Sequence, residues 1–170
     1  AGKSTGTALA IGIPGTIAGI FEVHKKYGSL PISEILKPVI ALAEKGVIVT
    51  KNQAKSLNNN REIFIKRNGK NSLFSKEYKE NDTIKYVALA ATLKRIATNG
   101  REEFYNGETG QKLVSFLAKN GGNATIEDLK KYQAKWRTPI TFQYKKLKIT
   151  SMAPPSSGGI CLNQIMKMIE

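Results

Sequence analysis

Histidine and cysteine each occur only once in this chain of 170 residues, as His24 and Cys161. A zinc site usually needs several Cys or His ligands, so the chain cannot supply a typical one by itself. One cysteine cannot form an internal disulfide, which leaves the redox compartment open. Cys161 lies between Ile160 and Leu162, and we expect it to be a small buried apolar residue. We expect His24 on the polar rim of a helix, without a catalytic role.

Long hydrophobic runs are also absent. No apolar segment approaches the roughly 20 residues that cross a bilayer, and no signal peptide is visible at the first residues. The chain does not begin like a complete gene product, so the absence of a visible signal peptide says little. With 41% apolar and 24% charged residues, the composition is typical of a globular protein, and the length predicts about one domain.

Acidic residues are scarce, since 13 Asp and Glu oppose 27 Lys and Arg and leave a net charge of +14. Such an excess permits nucleic acid or another acidic surface as a partner. The longest basic runs are scattered pairs such as Lys25-Lys26 and Lys130-Lys131, and no aromatic residues alternate with them as a base-stacking surface would need. We therefore interpret most of these charges as solvated. A basic helical nucleic-acid-binding module stays open as an alternative, and an acidic partner chain would also balance the charge.

Helical periodicity predicts that residues 1–136 are mostly helical. The expected helices start near Ile17, at Ser33 or Glu34, after Thr50, at Asn81 or Asp82, after Phe104, and after Thr125. Pro38 predicts a kink or a fresh start within the second helix. The polar stretch Asn58–Ser75 is expected to be partly loop.

The pattern changes after Trp136. Residues 140–144 and 147–151 alternate apolar and polar side chains, which predicts two strands that turn at Lys145-Lys146. A short connection and an apolar helix complete residues 137–170. The sequence thus predicts a helix-rich region followed by a β-hairpin, a turn and a helix.

The connection before the last helix reads Pro154-Pro155-Ser156-Ser157-Gly158-Gly159. Its simplest interpretation is a tight strand-to-helix turn in which Ser156 or Ser157 caps the helix. Its functional interpretation is a turn that places backbone N–H groups at a helix start against an anion or a partner backbone. The six residues alone leave both interpretations open.

A self-sufficient active site is absent from the sequence. There is no phosphate-binding loop of P-loop or dinucleotide type and no Gly-x-Ser-x-Gly elbow. Ser157 has His24 as its one possible histidine partner, far away in sequence. Glu102 and Glu103 are adjacent, so they would not face each other on a helix as paired acids.

Pro154 to Gly159 resembles the signature near the end of the large subunit of gamma-glutamyltranspeptidases, which are also called glutathione hydrolases. Other segments are similar to segments of that family in the same order. They are Ile13–Gly19, Tyr27–Pro31, Leu42–Gly46, Asn99–Gly107, Gly121-Gly122 with Glu127–Leu129 and Tyr132, and Arg137–Ile140. The resemblance covers about residues 11–170. Ala153 stands where the family commonly has a third proline, which would only stiffen the approach.

The resemblance implies an α/β (α+β-like) chain that is part of an αββα N-terminal-nucleophile hydrolase fold. Residues 1–170 would be a single fragment from the central to C-terminal part of the large subunit. It implies a precursor that cleaves itself, a heterodimer with the small subunit of the same precursor, and a periplasmic or secreted location. The substrate would be glutathione or another γ-glutamyl compound, and no cofactor is expected.

The resemblance also implies that no catalytic or substrate-binding residue lies in this chain, which alone would be inactive. The family's threonine nucleophile belongs downstream of Gly159, and its carboxylate-binding arginine belongs upstream of Ile13. Only Pro154, Pro155, Ser156, Ser157, Gly158 and Gly159 match a motif near the inner part of the fold, where we expect them to support the site. A relative that acts on other amides, or a non-catalytic remnant of the fold, remains a further alternative.

Overall fold

The computed structural model describes residue 2 and residues 5–170. These residues form nine α-helices and four β-strands, with 3₁₀ turns at Ala8–Ala10 and Leu73–Ser75. The helices are α1 (Thr16–Tyr27), α2 (Ile32–Lys45), α3 (Lys51–Asn59), α4 (Arg61–Asn68), α5 (Val87–Asn99), α6 (Arg101–Tyr105), α7 (Glu108–Lys119), α8 (Ile126–Lys131) and α9 (Gly158–Met168). The strands are β1 (Val47–Ile48), β2 (Thr83–Ile84), β3 (Ile140–Tyr144) and β4 (Leu147–Ser151). The chain divides into two compact units, Ala1–Tyr132 and Gln133–Glu170.

In the first unit, α2 packs along α5, and α6 packs against α1, α5 and α7. Ala43 of α2 and Ala90 of α5 are both buried, and small side chains let helix backbones approach closely. The α2 helix continues through Pro38 as one helix, so the fresh start expected there is wrong. The Tyr86 N–H donates to the carbonyl of Ala43 at 2.8 Å, which ties the end of α2 to the start of α5.

A second part of this unit packs around β1 and β2. These strands pair antiparallel, with Val47 opposite Ile84. Val49, Tyr78 and Ile84 are buried together there. The α3 helix begins with a capping box in which Thr50 and Gln53 exchange hydrogen bonds, as the sequence predicts.

The start expected for α5 at Asn81 or Asp82 is wrong, because α5 begins at Val87. Asp82 accepts a hydrogen bond from the Lys79 N–H at 2.7 Å and closes a local turn. Thr83 and Ile84 then enter β2. The polar stretch expected to be partly loop carries α4 and the second 3₁₀ turn in addition to loop residues.

In the second unit, β3 and β4 form the expected hairpin, with Ile140 opposite Ser151 and Tyr144 opposite Leu147. The α9 helix packs on both strands. Gly159 is buried against the hairpin, whereas Cys161 is exposed, so the expectation of a buried cysteine is wrong. Residues two apart on a helix do not share a face, which turns Cys161 away when Gly159 faces inward.

Among the described residues, no helix combines the length and apolar character that a membrane crossing requires.

Candidate functional site

The segment Pro154–Gly159 joins the end of β4 to the start of α9. The Pro154-Pro155 peptide bond is cis. The Ser156 N–H donates to the carbonyl of Ala153 at 3.3 Å and closes a turn over the two prolines. The chain therefore reverses direction within a few residues, and the two serines come directly before the first turn of α9.

The two serines divide the capping role. Ser157 occupies the N-cap position of α9, but its side chain makes no capping hydrogen bond. The Gly158 N–H instead donates to the Ser156 hydroxyl oxygen at 3.3 Å. Both serines expected at the cap therefore contribute to the start of α9. Ser157 occupies the N-cap position, and the Ser156 side chain accepts the hydrogen bond.

Ser157 has no histidine available within its own unit, since residues 133–170 contain none. His24 lies in the first unit, where its Nε2 is 2.7 Å from the Leu30 carbonyl oxygen. A serine needs an adjacent base to become a nucleophile. The segment alone therefore does not form a serine nucleophile site.

Gly159 sets how closely α9 approaches the hairpin. A Cβ at this residue would lie 2.5 Å from the Met152 carbonyl oxygen and 3.2 Å from both Ile140 Cδ1 and Ser151 Oγ. A backbone oxygen cannot swing aside as the end of a flexible side chain can. The glycine therefore allows the start of α9 to pack directly against Ile140 of β3 and against Ser151 and Met152 around the end of β4.

In the first unit, Tyr105 connects segments that lie far apart in the sequence. Its hydroxyl donates to the Pro14 carbonyl at 2.7 Å and accepts from the Ala18 N–H at 3.1 Å. Its ring stacks on Tyr132 with centroids 5.8 Å apart. Gly15 lies so close to the Tyr132 hydroxyl that a Cβ would overlap it. Burial raises the pKa of Tyr105, which keeps the hydroxyl protonated as the donor to Pro14.

Arg101 completes this cluster. Its guanidinium lies over the Tyr105 ring, 4.4 Å from the centroid, and it donates a hydrogen bond to the Tyr132 carbonyl. Three of the segments that resemble the family, around Pro14, Tyr105 and Tyr132, therefore meet in one packed cluster. The sequence pattern did not indicate this cluster, because its members lie on different elements.

Glu103 and Glu102 have different surroundings, as their adjacency predicts. Glu103 is only 4% exposed, and its Oε1 accepts from Arg95 Nε at 2.8 Å and from the Thr109 hydroxyl at 2.8 Å. Burial alone would raise the pKa of Glu103, but the hydrogen bonds from Arg95 and Thr109 outweigh it and hold the pKa below its ordinary value. Glu102 is exposed and pairs with Arg101 at 2.8 Å. The two glutamates do not form an acid pair.

Within the part of the chain that the structure describes, no group of three or more His, Cys, Asp or Glu side chains is arranged to hold a metal ion.

A family model described as Gamma-glutamyltranspeptidase matches residues 1–170. The chain belongs to the gamma-glutamyltranspeptidase family. It is 39% identical over 172 residues to the Glutathione hydrolase proenzyme of Escherichia coli (strain K12), a match that covers 99% of this chain and 30% of the relative. The membership confirms the resemblance to this family.

The fold of the family is also present. The crystal structure of Helicobacter pylori gamma-glutamyltranspeptidase superposes with a TM-score of 0.91 at 40% sequence identity. The match covers 98% of this chain and 49% of that chain. The helix-rich α/β fragment is therefore part of that family's fold, as the sequence predicts. The chain spans about half of that solved chain and less than a third of the curated relative.

The similarity extends to acylases. The Acylase ACY 1 proenzyme of Pseudomonas sp. (strain SE83) is 31% identical over 166 residues, which cover 96% of this chain and 30% of the relative. The relatives therefore carry the names of more than one kind of enzyme. None of these three relatives is named as a nucleic-acid-binding protein.

Proposed function

We propose that the protein containing this chain is a gamma-glutamyltransferase or glutathione hydrolase. The observation that carries the proposal is the family match over residues 1–170, together with the 39% identity to a relative named as a glutathione hydrolase proenzyme. Glutathione or another γ-glutamyl compound is then the substrate. The enzyme is the assembled protein, and this chain by itself is inactive.

The proposed reaction starts from a threonine at the new N-terminus of a small subunit, outside these residues. Its hydroxyl oxygen attacks the γ-glutamyl carbonyl carbon, and its own α-amino group takes the proton. Backbone N–H groups stabilise the oxyanion. The amide C–N bond breaks, the leaving amine takes a proton, and an acyl-enzyme forms. Water, an amino acid or a peptide then attacks the ester and releases the threonine.

The contribution of this chain is the turn from Pro154 to Gly159, which we propose supports the site without touching the reacting atoms. The observation behind this role is the close packing at Gly159, since it holds Ser156 and Ser157 in a defined position at the start of α9. The turn supports the site by holding residues in place. A substitution in the turn therefore lowers activity more, the further it displaces those residues.

The same proposal includes a precursor cleaved into two chains that remain together as a heterodimer, in a periplasmic or secreted location. The word proenzyme in the name of the Escherichia coli relative supports processing. The net charge of +14 on this chain favours a small subunit whose contacting surface is acidic, because opposite charges stabilise the interface and steer association.

The first test is expression of the full reading frame, followed by a denaturing gel, intact mass and N-terminal sequencing. A second chain that begins with threonine, together with turnover of γ-glutamyl-4-nitroanilide, is the expected result. A single unprocessed chain without turnover contradicts the proposal and favours a non-catalytic remnant of the fold.

A second candidate is an acylase that acts on other amides, which the relation to the Pseudomonas acylase supports. Glutaryl-4-nitroanilide separates the two, because it lacks the α-amino group of the γ-glutamyl substrate and is otherwise matched in length. A γ-glutamyl enzyme cleaves the γ-glutamyl anilide faster, and an acylase of the other type prefers the glutaryl anilide. Both enzymes would be processed, so the gel alone does not distinguish them.

A further inference from the structure

The second unit contains an open cleft of about 730 Å³ beside the turn at Pro155. Its lining includes Lys135, Arg137, Pro139, Thr150, Met152 and Pro155. Its volume lies within the range of roughly 300–1,000 Å³ that small-molecule sites occupy. All of these residues belong to the unit Gln133–Glu170.

The charge that the described residues give to the cleft is positive. Lys135 and Arg137 contribute two cations, and no acidic residue lines the cleft. The only acidic residue of this unit is Glu170, whose carboxylate accepts a hydrogen bond from the Lys145 N–H at 3.1 Å. Lys135 and Arg137 make no ion pair with any described residue. An anion that enters the cleft therefore displaces no carboxylate of the described residues.

The rest of the lining divides into hydroxyl and apolar groups. Thr150 brings a hydroxyl side chain, which can donate or accept hydrogen bonds, whereas the Ser151 hydroxyl lies on the other face of β4, toward Gly159. Met152, Pro139 and Pro155 bring apolar surface on the same cleft. Inorganic phosphate would bind the cations and the Thr150 hydroxyl but would leave the apolar surface in contact with water. An organic anion with a short aliphatic body would use all three kinds of surface.

We propose that this cleft binds a small organic carboxylate. The guanidinium of Arg137 matches a carboxylate with two parallel hydrogen bonds, and the Lys135 ammonium adds a compact charge beside it. The aliphatic body of the ligand lies against Met152 and Pro155, and the hydroxyl of Thr150 binds a polar group on it. This binding is independent of the catalytic activity proposed above.

The test measures the melting temperature of the full-length protein with sodium glutarate, sodium phosphate or sodium chloride at equal ionic strength. A ligand that binds only the folded state raises the melting temperature in a concentration-dependent way. Glutarate is expected to raise it in a saturable manner, and chloride is not. An equal rise with chloride overturns the proposal, and so does a rise with phosphate but not with glutarate.

Two double variants locate the binding. Lys135→Gln with Arg137→Gln removes both cations of the cleft, and Lys146→Gln with Lys148→Gln removes the same charge from the hairpin outside it. The cleft variant is expected to weaken glutarate binding by about tenfold or more, since hydrogen bonds to charged groups are lost. The hairpin variant is expected to bind like the wild type. Equal weakening in both variants means general charge attraction and overturns the site.

A conservative single variant still tests the site if the double variant fails to fold. Arg137→Lys keeps the charge and loses the two parallel hydrogen bonds. Titration calorimetry with glutarate is expected to show weaker binding than in the wild type, with an unchanged melting temperature in chloride. An unchanged affinity would mean that Arg137 does not bind the ligand, and it would overturn the proposed site.

Discussion

The Tyr105 hydroxyl donates a hydrogen bond to the Pro14 carbonyl at 2.7 Å, across 91 residues of sequence. The same oxygen accepts from the Ala18 N–H in the first turns of α1. One side chain therefore ties the loop before α1, and α1 itself, to α6. Two segments of the family resemblance, Ile13–Gly19 and Asn99–Gly107, therefore contact each other through this side chain.

The Tyr105→Phe variant tests this contact. It keeps the ring and its stacking on Tyr132 but leaves the part-buried Pro14 carbonyl and the buried Ala18 N–H without their partner. We expect the free energy of unfolding to fall by about 1–3 kcal/mol, measured by urea denaturation. Tyr132→Phe is the matched control, because among the described residues the Tyr132 hydroxyl makes no hydrogen bond. An equal loss in both variants would mean that the hydrogen bonds of the Tyr105 hydroxyl do not account for the effect.

The pair Gly158 and Gly159 allows a second matched test. Alanine generally stabilises a helix relative to glycine, by roughly 0.5–1 kcal/mol. At Gly158 a Cβ meets only Ser156 Oγ, at an ordinary 3.4 Å, so Gly158→Ala is expected to be neutral or stabilising. At Gly159 the Cβ would lie 2.5 Å from the Met152 oxygen, and overpacking of this kind costs about 1–3 kcal/mol.

Unfolding experiments on both variants check the sign of each change, and activity of the full protein checks the supporting role of the turn. Gly159→Ala is expected to lower kcat/KM, and Gly158→Ala is not. A stabilised Gly159→Ala protein would show that α9 does not pack on the hairpin as described.

The buried carboxylate of Glu103 predicts a pH dependence of stability. Its pKa in the folded protein lies below the ordinary value of about 4.3. The ionised group therefore contributes stability that is fully present above that ordinary value and is lost as the pH falls through the lowered pKa. Glu103→Gln is expected to cost about 1–3 kcal/mol at pH 7, and the difference from the wild type is expected to shrink below about pH 4.5.

Urea unfolding at a series of pH values between neutral and acid measures this difference. Glu102→Gln is the control, since Glu102 is exposed and pairs only with Arg101 at the surface. A constant difference between Glu103→Gln and the wild type at all pH values would mean that ionisation of Glu103 does not stabilise the fold.

Asn163 on α9 provides a fourth prediction. Its Oδ1 is buried and has no hydrogen-bond partner among the described residues, which is costly because the atom has lost its water. Asn163→Val removes the oxygen at similar volume, and we expect the free energy of unfolding to rise by about 1 kcal/mol. Thermal unfolding measures the change, with Gln164→Val as the exposed control. A loss of stability instead would mean that a donor elsewhere in the protein binds this oxygen.

Local features were predictable where neighbouring residues determine them. Thr50 with Gln53, and Thr125 with Asp128, form capping boxes because the partners are only three residues apart. The β3–β4 hairpin follows from alternation over ten residues and a two-residue turn. The family resemblance was readable because its segments keep their order along the chain.

Other features depend on distant contacts. The α5 helix starts at Val87 instead of Asn81 or Asp82 because Thr83 and Ile84 pair with Ile48 and Val47, about 36 residues earlier in the chain. Cys161 was expected among apolar neighbours, but the orientation of α9 is set by Gly159 against the hairpin. Arg95 and Thr109, which stabilise Glu103, show no pattern in sequence because they lie on different helices.

The helix-rich order of elements, the hairpin, the excess of positive charge and the family could all be predicted from the residues alone, since each of these depends on residue type and short spacing. Packing of the folded chain was needed to show that Tyr105 joins Pro14 to Ala18, that Gly159 lies against the hairpin, and that Lys135 and Arg137 share a cleft with Thr150. The physical reason is that burial and hydrogen bonding between distant segments arise only when the chain packs.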